Sequence, residues 1–521
     1  MDMTNKEKFT EEIRNGYTFK GECIDLGGAM YDGECIDDTI IKIPLNTLNR
    51  HGLITGATGT GKTKTLQILA EQMSEKGIPV LLMDVKGDLS GIAVPSAGHP
   101  KIDERHKKIG IPFTAGSSPV EFLTISGEKG VRMRATVSEF GPVLFSKILD
   151  LNDLQQGIVA VVFKYCDDHR LPLVDLNDFR GALNYLTYEG KKEIEGLYGR
   201  INTSSSGAIM RKLIELEQQK ADLFFGEPSF EVEDLARLDA NGKGMVSILR
   251  VTDIQDRPKL FSTFMLQILA EIYASYPEEG DMDKPKLVMF IDEAHLVFDN
   301  ATNALMDQIE AIIKLIRSKG VGIFFVTQDP ADVPEDVLGQ LGMKVQHALR
   351  AFTAKDRKNI KLVAQNFPIT EYYEIESILT SLGIGEALVT VLNEKGIPSP
   401  LVHTMLRAPK SRMDVLTKKE MDKLLELSYL VYKYNKEVDP NSAKEILEEK
   451  LRQIEAEEHQ EEMLNQQENA RNTYSRKRQK TVFEELFDKT TTRQIGRTVA
   501  RELTRSILGV LGVGYSRKRR K

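Results

Sequence analysis

One eight-residue stretch limits what this chain can fold into more than any other: Gly56-Ala57-Thr58-Gly59-Thr60-Gly61-Lys62-Thr63. It matches G-x-x-x-x-G-K-[ST], a loop that wraps a nucleotide's phosphates. Apolar Gly52–Thr55 precedes it, and Leu66, Leu69 and Met73 follow at helical spacing, so the context is strand, loop, helix. Glycines let the loop close tightly and aim backbone N–H groups inward, and the helix N-terminus adds partial positive charge. Lys62 is expected to contact the β- and γ-phosphates and the Thr63 hydroxyl to bind Mg²⁺. ATP and Mg²⁺ are therefore the expected cofactors.

The surrounding pattern predicts an α/β fold. Strand candidates are Gly52–Thr55, Val80–Met83, Met245–Leu249, Leu287–Ile291, Val321–Val326 and Val345–Ala351. Helical periodicity fills gaps between them, as at Leu305, Ile309, Ile312 and Ile316. Strands joined by crossover helices argue for a mainly parallel sheet with helices on both faces. Residues 1–45 read as a small β segment with a hairpin, and 46–410 as the ATPase domain. Within it, about 140–240 forms a helical insertion, and a hairpin follows near Glu386–Leu392. Residues 411–470 read as a charged helical extension, and 471–521 as a basic amphipathic tail.

Further chemistry is expected at the carboxyl ends of three strands. Leu287–Ile291 runs into Asp292-Glu293-Ala294-His295, which puts Asp292 beside the phosphate loop to hold a metal and Glu293 one residue on to polarise water. His295 reads as a packing or hydrogen-bonding residue. Val321–Val326 ends in Thr327-Gln328, where the amide can sense the γ-phosphate. Val80–Met83 ends in Asp84-Val85-Lys86-Gly87-Asp88, which brings charge to the same crevice. Phosphoryl transfer also calls for an arginine. Arg317, after the helix that follows Glu293, is one candidate, and Arg350, read as lying within a strand, is another.

Composition narrows the class. With 521 residues, 41% hydrophobic and 28% charged, the chain has enough apolar material for two to three globular units. No run of about 18 apolar residues reads as a membrane span. Three cysteines, none in a CxxC pair, suit a reducing cytoplasm. Charge is uneven: residues 471–521 carry 15 Lys/Arg against 4 Asp/Glu, whereas 441–470 carry 3 against 9. In the tail, Arg493, Arg497, Arg501 and Arg505 form one helical stripe and Ile495, Val499, Leu503 and Ile507 another. Such a tail fits DNA, an anionic membrane or a partner subunit.

Together the phosphate loop, DVKGDL (Asp84–Leu89), FIDEAH (Phe290–His295) and IRSKGVGIFFVTQDP (Ile316–Pro330) resemble the HerA–FtsK group of P-loop ATPases. More narrowly, GPVLFSKILDLNDLQQG (Gly141–Gly157), FFGEPSFEVEDLAR (Phe224–Arg237) and VLGQLGMKVQHALRAFT (Val337–Thr353) resemble the bacterial HerA-like, YjgR-like branch. The resemblance covers roughly residues 20–410. It implies a RecA-like core, Mg-ATP hydrolysis, rings expected as hexamers, and translocation or unwinding of double-stranded DNA, with a nuclease or other protein as a further partner. By position it assigns Lys62 and Thr63 to phosphate and Mg²⁺, Asp292 and Glu293 to metal and water, Gln328 to the γ-phosphate, and Arg317 to the trans-acting finger. The segment before the phosphate loop is short for the N-terminal barrel of HerA itself.

Other classes remain in competition. An ATP-dependent scaffold or regulatory switch would bind proteins through the helical insertion and tail. A two-domain helicase sharing the DEAH tetrapeptide would need a second RecA-like set, which the sequence lacks. A small-molecule kinase fits poorly, because Glu293 after the metal aspartate suits water as nucleophile.

Overall fold

The computed structural model describes residues 4–253, 257–280, 282–298, 303–436, 438 and 442–453. Its strands are β1 (Cys23–Tyr31), β2 (Glu34–Pro44), β3 (Gly52–Thr55), β4 (Val80–Asp84), β5 (Val120–Thr124), β6 (Val131–Arg132), β7 (Val246–Arg250), β8 (Leu287–Ile291), β9 (Val321–Thr327), β10 (Met343–Gln346), β11 (Glu386–Thr390) and β12 (Val402–Leu406). They form one sheet in the order β2-β1-β12-β11-β10-β3-β9-β8-β4-β7-β5-β6. From β10 to β6 every neighbouring pair is parallel. From β2 to β10 every pair is antiparallel.

Residue type explains the division. β3, β4, β8 and β9 are buried at every position, as strands covered on both faces must be. β2 is an edge strand, and its exposed Glu34, Asp37 and Asp38 discourage pairing with another chain. The helix Lys62–Glu75 buries Leu66, Leu69, Ala70 and Met73 among Ile54, Val80, Val288, Phe290 and Phe324. That apolar layer packs the phosphate-loop helix onto the sheet.

Two expectations change. The first residues are not purely β: Asn5–Gly16 is a helix, started by a Thr4–Glu7 capping box and held by buried Phe9 and Ile13. The hairpin of β1 and β2 is also continuous with the rest of the sheet through β1–β12 pairing. Second, the strand expected at Val345–Ala351 is Met343–Gln346, so Arg350 lies in the loop that follows. His347 N–H still donates to Thr55 O at the end of β3, and the chain then leaves the sheet as the Ala348 carbonyl accepts from Ala57 N–H of the phosphate loop.

The chain divides into two compact units, residues up to 133 with 230–436, and 134–229 with the residues beyond 436. The first holds the whole sheet. The second is helical, with Val137–Ile148, Asp153–Asp168, Leu176–Thr187 and Thr203–Gln218 as its longer helices. Capping boxes at Thr136, Asn152 and Asp175 start three of them. Phe145 packs against Phe179 with ring centroids 4.8 Å apart, and Phe163 completes the cluster. A helical stretch over 443–453 belongs to this unit and ties Lys450 to Glu193 at 3.1 Å. The basic tail expected at 471–521, and most of the Glu-rich run before it, lie outside the described residues.

Candidate active site

The order β3-β9-β8-β4 builds the site. β3 delivers the phosphate loop, β8 delivers Asp292 and Glu293, and β9, between them, delivers Thr327 and Gln328. Register confirms the alignment: Thr55 pairs with Thr327, and Ile291 with both Phe325 and Met83. All four strands are parallel, so their carboxyl ends open on one crevice, the usual ligand position in such sheets.

The loop is held from behind. Gly56, Gly59 and Gly61 have φ of 147°, 80° and 115°, values that side-chain-bearing residues rarely adopt. A Cβ on Gly56 would stand 2.5 Å from His347 Cβ. His347 is fully buried and shares a 2.9 Å hydrogen bond with Thr65 Oγ1. Gly385 N–H donates to Thr60 O at 3.0 Å, and Arg105 fixes that turn by donating to the Ile384 and Gly385 carbonyls. Lys62 is buried and turns back into the loop, where Nζ donates to Gly56 O at 2.6 Å and Ala57 O at 3.2 Å. Burial lowers its pKa, and so does Lys86, while Glu293 and Asp292 pull the other way. Lys62 therefore lies within electrostatic reach of both acids.

Asp292 and Glu293 are both buried. Glu293 has φ of 49°, and its N–H donates to Asp292 Oδ1 at 3.0 Å. Burial pushes Asp292 up to about 7 against the pull of Lys86. Asp292 Oδ2 has no hydrogen bond among the described residues. Lys86 Nζ is 2.5 Å from Glu293 Oε1, and His295 Nδ1 is 3.3 Å from Oε2. Gln328 is exposed at the strand end, and its Oε1 accepts from Thr58 Oγ1 at 3.3 Å. A metal-bound triphosphate fits these residues. The strained glycine loop exposes backbone donors, Lys62 is a buried cation aimed into the loop, and Asp292 keeps an unbonded carboxylate oxygen. Thr63, second in the following helix, and Asp292 could hold Mg²⁺.

Lys86 is the residue the sequence reading undervalued. Its segment stood out as charged, but pairing with Glu293 depends on β4 and β8 being neighbours. Asp84 is a different case. Its carboxylate accepts from the N–H groups of Gly87, Asp88 and Leu89, so it shapes the loop that carries Lys86. Arg317 is not brought to this crevice. It is exposed just before β9 begins, and β9 puts about 20 Å of strand between it and Gln328. At that opposite end His51 Nε2 donates to Ile313 O at 2.9 Å and its Nδ1 accepts from Ile323 N–H at 3.0 Å. Burial lowers His51 to about 4, and Arg317 adds to the effect.

Residues 32–519 match the family described as Helicase HerA-like C-terminal. The DNA double-strand break repair helicase HerA of Saccharolobus solfataricus is 23% identical over 390 residues, which cover 74% of this chain and 69% of the relative. That of Sulfolobus acidocaldarius is 21% identical over 357 residues, covering 67% of this chain and 64% of the relative. The DNA import protein CedB of the same organism is 23% identical over 403 residues, covering 76% and 58%. Among solved structures, the bacterial conjugative coupling protein TrwBdeltaN70 with sulphate superposes with a TM-score of 0.51 at 15% identity, covering 78% of this chain and 94% of that one. That likeness speaks to the fold. No helix among the described residues is long and apolar enough to cross a membrane.

Proposed function

The chain belongs to the HerA-like helicase C-terminal family, and from that membership and the crevice we propose that it hydrolyses Mg-ATP as a DNA motor. Its working form is a ring of identical subunits, expected as a hexamer, that moves or unwinds duplex DNA. The observation that carries this reading is the meeting of the Lys62 loop with the Asp292–Glu293 edge across β3, β9 and β8.

Each residue then has a defined task. Lys62 trades its bonds to Gly56 and Ala57 oxygens for phosphate oxygens, and the loop N–H groups hold the β-phosphate. Thr63 and Asp292 would hold magnesium, which when bound offsets the charge of the phosphate oxygens. Glu293 accepts a hydrogen bond from the attacking water and takes its proton as the water oxygen bonds to the γ-phosphorus, while the bond from that phosphorus to the β–γ bridging oxygen breaks and ADP leaves with the electron pair. Its anchored backbone and Lys86 fix where the carboxylate points. Gln328, bonded to Thr58, reports the γ-phosphate to both strands. Arg317, at the opposite end of β9 from Gln328, acts on a neighbouring subunit's nucleotide, which is why the ring matters to catalysis.

The test is steady-state ATP hydrolysis by the purified full chain with and without magnesium, and with and without duplex DNA. Magnesium-dependent hydrolysis stimulated by DNA is expected, with rings visible by electron microscopy. Absence of hydrolysis would end the reading. Hydrolysis indifferent to DNA would instead support the protein-binding switch.

A further inference from the structure

The crevice has a charged neighbour that its chemistry does not use. The helix Ala354–Gln365 carries Lys355, Arg357, Lys358 and Lys361 on its exposed side, and Arg350 is exposed just before it. Lys355, Lys358 and Lys361 are spaced three apart and Arg357 and Lys361 four apart, so they repel one another across the helix surface. None of the five forms an ion pair among the described residues. The acid within the helix, Asp356, accepts from the N–H groups of Phe352 and Thr353 as part of the helix cap. Phe352 is 85% exposed beside these cations. Repulsion offset by no ion pair among the described residues, on a protein of net charge −7, marks a surface suited to an external polyanion.

The opposite side of this helix is bound to the nucleotide machinery. Asn359 Nδ2 donates to Asp329 Oδ2 at 3.1 Å, and Asp329 directly follows Gln328. Ile360 and Val363 are buried with Ala348, whose carbonyl holds the phosphate loop at Ala57. One short helix therefore connects a cationic face to both the sensor strand and the loop.

We propose that this face docks the phosphate backbone of duplex DNA and that the Asn359–Asp329 bond couples that docking to the nucleotide site. The inference rests on the DNA-motor reading and adds the surface and its link. Phosphate contacts of this kind need no base recognition, and they appear as salt dependence.

The test compares the wild-type chain with the K355Q/K358Q/K361Q variant and with Asn359→Ala, using a duplex of random sequence. The triple variant is expected to lower the slope of log affinity against log salt by about two to three, since each lost phosphate contact removes about 0.9. Its hydrolysis without DNA should match wild type, and its thermal midpoint should not fall, because repelling charges have been removed. Asn359→Ala should bind DNA within about threefold of wild type yet lose about tenfold of the DNA stimulation, the scale of a typical coupling between sites. An unchanged salt slope in the triple variant overturns the docking surface. So does a loss of DNA affinity that accompanies loss of the ring, which would assign the face to a neighbouring subunit. If wild type fails to bind duplex at any salt while still hydrolysing ATP, the DNA-motor reading itself falls.

Discussion

The two halves of the sheet do different work, although they share one hydrogen-bonded ladder. From β10 to β6 the strands run parallel, so their carboxyl ends and the loops that leave them collect at one edge. That edge holds the loop glycines with positive φ, Gly56, Gly59 and Gly61, together with Glu293 and the unbonded Asp292 Oδ2. From β2 to β11 the strands alternate in direction, so no edge collects loops of one kind. Its close contacts serve packing instead. Gly27 there lies against Met405, where a Cβ would overlap the carbonyl oxygen, and Tyr17 Oη stands 3.0 Å from Val389 O and 2.9 Å from Pro400 O. Strand direction decides which half can gather a site.

If this division holds, substitutions in the parallel half change chemistry, and those in the antiparallel half change stability. The largest effects belong to Lys62→Ala and Glu293→Gln. Lys62→Ala should weaken nucleotide binding by about a hundredfold or more, as loss of a charged phosphate partner implies; titration with a fluorescent nucleotide measures it. Glu293→Gln should keep nucleotide affinity and slow turnover by about a hundredfold, the usual worth of a positioned general base. Near-normal turnover would remove Glu293 from the mechanism.

Gly56→Ala comes next. Its Cβ meets His347 and its φ of 147° suits glycine, so a strain of about 1–3 kcal/mol should weaken nucleotide binding by about tenfold or more. Gly27→Ala should cost about 1–3 kcal/mol in chemical denaturation while leaving kcat of the folded protein unchanged. The smallest effect is expected of Tyr17→Phe, which should lose about 1 kcal/mol for one buried hydrogen bond, again with normal kcat. A fall in kcat for either antiparallel-half variant would break the division.

Much of the parallel half was legible in advance because its signals are local. A phosphate loop needs glycines at fixed, close spacing, and a buried strand ending in acids is a continuous pattern, so Gly52–Thr55 and Leu287–Ile291 appear with their expected limits. The antiparallel half was harder to read. β1 and β2 suggested a hairpin, but their joining to β12 is a long-range pairing that no local pattern encodes. Arg350 shows a similar limit. Val345–Ala351 reads as an apolar run, yet the strand ends at Gln346, where the Ala348 carbonyl turns to accept from Ala57 N–H of the phosphate loop.

By itself the sequence determined the glycine-rich loop that carries Lys62, the acids at the end of the Leu287–Ile291 strand and the α/β alternation that carries them, because each depends on residues adjacent in the chain. The tertiary structure alone decided that Lys86 would meet Glu293, that Arg317 would lie at the other end of the sheet, and that Asn359 would reach Asp329. Those relations depend on which strands become neighbours and which way they run. That choice is made by burying the apolar faces of the whole sheet together, so it belongs to no single segment.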